Sequence, residues 1–329
     1  MLLNEKVNYL RYQHNTFMTS FSLKWYSLFK TQLLLAVLSC CSEKIVALNP
    51  DDTTSTSTQL QAQQYLAEIK ELPASAFWPN IKPELFFNNV KDDIDHPLNL
   101  YEGNNTNFCS YGALSYLPLH DDPLRFAQFM IELYREGKAQ YNKIWFEPSK
   151  NVRVAAGTLQ YKGKLDIRPA EQVWILCLAD RFKGYLNLFN RNYKSGDENT
   201  FWASTNYGKF NRMIKKLFNY DMTSRGSDLL RPWIKKDDLV EYLQNKLRSG
   251  GTTFLYINNT SLRKKNHNLI RSGIPTHYIV LISIEHAYGD IYTIIYWDYG
   301  LRSLRQVSLG SLKKIIFGIT HCTKKVSHE

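Results

Sequence analysis

The chain is predicted to fold as an α+β protein, with a helical part first and an antiparallel sheet later. Two observations predict this. Between residues 109 and 251 apolar residues recur in blocks at helical spacing. From 252 onward they come in short β-branched and aromatic runs separated by turn residues. Helices followed by strands, with no internal repeat, is the pattern of segregated layers.

Three segments are expected: a leader over 1–40, a polar tether over 41–64 and one folded domain over 65–329. Residues 31–39 read TQLLLAVLS, preceded by Lys24 and Lys30 and followed at once by Cys40. A basic flank, a short apolar run and a small residue before the break are the anatomy of a secretory signal. The run is short of the about 20 apolar residues a bilayer span needs. Val37-Leu38-Ser39-Cys40 resembles the lipobox of bacterial lipoproteins. The resemblance implies that Cys40 carries the lipid and that the protein is held in the cell envelope or secreted. An uncleaved apolar anchor is the alternative, and Met18 offers a more ordinary start for such a signal than Met1. The stretch PDDTTSTSTQLQAQQ over 50–64 is polar and without periodicity, as a tether would be.

The domain opens with a short helical candidate from Tyr65 to Leu72. CSYGALSYL over 109–117 places Ala113, Leu114 and Leu117 at helical spacing behind Cys109, with a stop expected from Pro118 and the His120-Asp121-Asp122-Pro123 stretch. PLRFAQFMIELYREGK over 123–138 has a Pro start and a Gly137 stop around Phe126, Phe129, Met130 and Leu133. Residues 169–190 form another helix, apolar enough for the centre of a layer, in which Cys177 is a small core residue. A basic helix is expected around Lys209–Phe218, and a further one over 236–251 with Leu239, Val240, Leu243 and Leu247 on one face. Strands follow at 252–258, 277–285, 291–297 and 302–307, and a last helix at 309–319.

The chemistry is expected from three residues. Facing residues of an antiparallel hairpin keep a constant index sum. If His277 opens one strand and Asp298 closes the next, the midpoint falls between Ala287 and Tyr288, inside the loop HAYGD. His277 and Asp298 should then lie side by side, the carboxylate holding the imidazole in one tautomer and stabilising its charged form. Cys109 heads a helix, whose N-terminal partial positive charge favours thiolate over thiol. Tyr278 and Trp297, as strand neighbours of the pair, should face away into packing.

Cys at the head of a buried helix, His opening a strand in THYIVL and Asp ending the next in YWDYG resemble the papain-like cysteine peptidases. Nearest is the branch that includes the bacterial double-glycine-leader peptidases. The likeness spans about residues 104–320. It implies a papain-like fold and a thiol hydrolase: Cys109 as nucleophile, His277 as general base and acid, Asp298 as orienter. The family's oxyanion donor is usually a Gln several residues before the cysteine. None stands there; Asn104 is assigned the part on spacing, because an Asn amide donates as a Gln amide does.

Bulk properties bound the alternatives. The formal charge is +11, of which residues 1–39 carry +3 (Lys6, Arg11, Lys24 and Lys30 against Glu5), leaving +8 on the rest. Without a basic stripe interleaved with aromatics, this reads as a generally basic surface, and no nucleic-acid partner is expected. The five cysteines (Cys40, Cys41, Cys109, Cys177, Cys322) lack metal-ligand spacing, so neither metal nor cofactor is expected. The expected substrate is a peptide or isopeptide amide. A peptidoglycan-directed amidase or endopeptidase, with an antibacterial effector as one form of it, and a catalytically silent binding module of the same fold are the rival readings. His267, in the basic loop before His277, reads as a solvated loop residue.

Overall fold

The computed structural model describes residues 57–160, 165–183, 191–259, 262 and 275–325. The leader, Cys40 and most of the tether lie outside them, as does His267. The first element is α1 (Gln59–Glu68), closed at its start by a reciprocal capping box between Thr58 and Gln61. It begins six residues earlier than the apolar spacing suggests, because the cap is polar and only Ala62 and Leu66 are buried. Then come α2 (Pro83–Asp95), a 3-10 turn at Pro97–Asn99, α3 (Cys109–Asp121) and α4 (Pro123–Glu136). Asp122 caps α4 and Gly137 ends it in a left-handed conformation, φ +67°.

The His120–Pro123 part of the expected stop ends α3, but Pro118 does not. The helix runs through it to Asp121, with the Pro118 carbonyl still accepting from the Asp122 N–H. A proline removes one donor and ends a helix only where the surroundings let the chain leave; here Leu117, Pro118 and Leu119 are all buried. A small hairpin follows, β1 (Ala139–Tyr141) and β2 (Ile144–Phe146), then α5 (Lys150–Ala155) and α6 (Pro169–Phe182). Every residue of α6 from Ala170 to Asp180 is buried, which places it at the centre of the helical layer.

After α7 (Tyr207–Leu217) the chain builds its main sheet: β3 (Tyr220–Gly226), α8 (Leu239–Arg248), β4 (Thr252–Ile257), β5 (His277–Tyr288), β6 (Ile291–Asp298), β7 (Leu301–Ser308), α9 (Leu309–Ile315) and β8 (Ile316–Lys324). The spatial order is β3-β8-β4-β5-β6-β7, and every neighbouring pair is antiparallel. The fold class is therefore α+β, as expected. The helix expected over 309–319 is a short helix that turns into the buried strand β8. Ile315 and Ile316 fit either state by propensity, and the pairing of β8 between β3 and β4 decides it.

The central strands β4, β5 and β8 are largely buried on both faces, while the edge strands β3 and β7 are mostly exposed. Phe254, Tyr256, Tyr278, Val280, Trp297 and Phe317 pack against the helical layer of α1 to α7. Leu255, Ile257, Ile279, Leu281, Ile294 and Tyr296 face the other way and pack against α8 and α9. The alternation follows from the two-residue period of a strand. It puts Tyr278 and Trp297 into the first core, as expected of the neighbours of His277 and Asp298.

Candidate active site

The nucleophile candidate sits where a tight loop becomes a helix. Gly103 takes φ +81°, and the Thr106 hydroxyl donates to the carbonyls of Glu102 (2.8 Å) and Gly103 (2.7 Å). Phe108, 1% exposed, anchors the turn in the core. Its carbonyl accepts from the Tyr111 and Gly112 N–H groups, and no side chain caps α3. The Cys109 and Ser110 N–H groups, earlier in the first turn, have no place in the helix's own bonding pattern.

The other two residues come from the sheet. The Cys109 sulfur faces the Thr276 carbonyl at 3.9 Å, one residue before His277. His277 is 1% exposed, and its Nε2 lies 2.5 Å from Asp298 Oδ1. Burial alone would favour the neutral imidazole. The Asp298 carboxylate, by charge and hydrogen bond, and the Cys109 sulfur, as hydrogen-bond partner and charge, outweigh it and raise the His277 pKa to about 10.

The register that brings the pair together differs from the expected one. The β5–β6 turn is Gly289-Asp290, between the paired Tyr288 and Ile291, and bulges interrupt the ladder near Ile282 and Ala287. Val280 pairs with Trp297 and Leu281 with Tyr296. At that end the register is offset by two from a direct His277–Asp298 pairing. An offset of two keeps both side chains on one face, so the residues meet diagonally. Bulges are not visible in a hydrophobic pattern, which is why the midpoint was misplaced.

Two further residues belong to the site. The Tyr299 ring stacks on the His277 imidazole, centroids 4.7 Å apart and planes 19° apart, with its hydroxyl 3.3 Å from Nδ1. Glu102, 3% exposed, packs its carboxyl against Gly112, one turn along α3 from Cys109. Burial first, then the Asp298 charge, push its pKa up to about 8 against the pull of His277. Neither residue was singled out in the sequence. Tyr299 follows Asp298 directly but reads as part of a turn. Glu102 looks like any acid in a polar stretch until the loop folds over it.

Asn104 donates its backbone N–H to the Tyr101 hydroxyl at 3.0 Å. Its side-chain Oδ1 is buried with no hydrogen-bond partner, as are Glu102 Oε2, Ser110 Oγ and Tyr111 Oη. Orphaned polar atoms are scarce in folded proteins, and these four lie within ten residues around Cys109. Cys177 and Cys322 are each 1% exposed; burial pushes the Cys322 thiol up to about 12 and raises that of Cys177 well above its ordinary value. Among the described residues no group of His, Cys, Asp and Glu could hold a metal ion, and no helix is long and apolar enough to cross a membrane. No family model, curated protein or solved structure matches the chain.

Proposed function

We infer that the protein is a papain-like thiol hydrolase that cleaves a peptide or isopeptide amide through an acyl-enzyme. The reading rests on the buried His277–Asp298 pair at 2.5 Å with the Cys109 sulfur 3.9 Å from the Thr276 carbonyl, one residue before His277. The chain order Cys, His, Asp and the helix-then-sheet order support it.

The thiol proton passes to His277, and the sulfur electron pair attacks the substrate carbonyl carbon. The C=O electrons move onto oxygen, giving a tetrahedral oxyanion. Collapse re-forms the carbonyl and breaks the C–N bond, while His277 returns its proton to the leaving amine. Water, deprotonated by His277, then cleaves the thioester. Asp298 holds Nε2–H throughout and offsets the imidazolium charge. The Cys109 N–H and the Asn104 amide are the assigned oxyanion donors. Asn104 holds that part on its spacing before Cys109 and on the N–H groups an Asn amide can donate.

Iodoacetamide labelling, read at Cys109 by peptide mass mapping, tests the reading. At about pH 6 wild-type Cys109 should label at least 10-fold faster than in His277→Ala, because the imidazolium stabilises the reacting thiolate. Asp298→Asn should slow labelling less but turnover more, since tautomer control matters most during proton transfer. Equal labelling of wild type and His277→Ala would leave only the silent binding module.

A further inference from the structure

Tyr299 has no part in the steps above, yet its position is costly. Tyr299 and Gly300 make the two-residue turn between β6 and β7, with Asp298 paired to Leu301 and φ of +51° and +69°. Such turns need positive φ at both central residues and are usually filled by Asn, Asp or Gly. The other non-glycine residue at positive φ among the described residues is Asn142, φ +50°, in the β1–β2 turn, and it is of the tolerant kind. A bulky aromatic there is strained, and strained residues cluster at working sites.

The strained backbone lays the Tyr299 ring flat on His277 and brings its hydroxyl to Nδ1, the nitrogen that Asp298 does not hold. The turn is also seated firmly. A Cβ added at Gly300 would lie 3.1 Å from the Asn99 carbonyl oxygen and 3.2 Å from that of Leu100. Two residues before Tyr299, the Trp297 indole N–H donates to the Leu98 carbonyl at 2.7 Å. The hairpin tip is therefore pinned to the chain that leads into Glu102 and Cys109.

We propose that Tyr299 is a positioning residue of the Cys109–His277–Asp298 group, fixing the imidazole plane by stacking and following the catalytic proton at Nδ1 with its hydroxyl. This rests on the thiol-hydrolase reading. A hydroxyl both donates and accepts. When the thiol proton crosses, the S–H electron pair stays on sulfur, Nδ1–H forms, and the Tyr299 oxygen accepts from it beside the thiolate. When His277 passes that proton to the leaving amine, Nδ1 regains its lone pair and Tyr299 O–H donates to it. The ring keeps its plane in both states. Charge-assisted hydrogen bonds are the stronger kind, so the hydroxyl favours the imidazolium. The titratable groups around the ring are Asp298 on β6, Cys109 on α3 and Glu102 ahead of α3; Tyr299→Phe leaves all of them in place.

The test combines a histidine NMR titration with Cys109 acylation by an activated ester. Tyr299→Phe keeps the stack and removes only the hydroxyl. It should lower the His277 midpoint by about half to one pH unit, the margin of a charged over a neutral hydrogen bond. Tyr299→Leu, which also loses the stack, should slow acylation about 10-fold or more, beyond the effect of Tyr299→Phe. In a His277→Ala background both Tyr299 variants should have no further effect on acylation. An unchanged His277 midpoint in Tyr299→Phe, or equal slowing with and without His277, overturns the proposal. If His277→Ala alone acylates as fast as wild type, the hydrolase reading itself has failed, and the two failures are told apart.

Discussion

A carboxyl group buried next to a carboxylate has to keep its proton, and Glu102 shows the consequence for stability. Its folded pKa is raised from 4.5 to about 8. The unfolded chain gives up that proton near its ordinary pKa while the folded protein retains it. Glu102 therefore contributes stability that is fully present below about pH 4.5 and is lost as pH rises through about 8. His277 adds a loss of the same sign between 6.5 and about 10. Glu102→Gln, which does not titrate, removes the first. The variant should gain on wild type by up to about 1.4 kcal/mol per pH unit across that window. Urea unfolding at several pH values measures this; parallel stability curves would show that Glu102 is ionised in the fold.

At the scale of elements, the loop and first turns of α3 are where sequence and packing disagree most usefully. Gly112 lies inside a helix, where Ala is favoured by up to about 1 kcal/mol. A Cβ there would meet Glu102 Cδ at 2.8 Å and Oε2 at 3.0 Å. Because Glu102 is buried and cannot swing into water, overpacking of about 1–3 kcal/mol should win. Gly112→Ala should destabilise, and Glu102→Ala in the same chain should cost less than the sum of the two changes. Chemical denaturation of both single variants and the double decides; strict additivity would mean that the carboxyl does not occupy that space. The strongly patterned elements were legible beforehand. α4 has its proline start, apolar stripe and glycine stop, and β5 and β6 have β-branched runs around turn residues. What was not legible depends on partners distant in sequence. Pro118 continues a helix because its turn is buried, and Ile316–Lys324 is a strand because β3 and β4 flank it.

At the scale of the whole molecule, a sheet whose central strands are covered on both faces holds the pair of strands that carry His277 and Asp298, and the helical layer brings Cys109 to their end. The three residues could be named from the sequence because each stands at a recognisable boundary: helix start, strand start, strand end. Tyr299 and Glu102 could not, since their roles come from a turn pressed against the 99–101 chain and a loop closed by Thr106. The central claim is that this arrangement forms an acyl-enzyme on Cys109. Pre-steady-state mixing with a p-nitrophenyl ester measures that step most directly, with peptide mapping to locate the acyl group. Wild type should give a nitrophenolate burst stoichiometric with protein and the acyl group on Cys109, with no burst in Cys109→Ser and a burst slowed at least 10-fold in His277→Ala. No burst in the wild type, or one that survives Cys109→Ser, would contradict it.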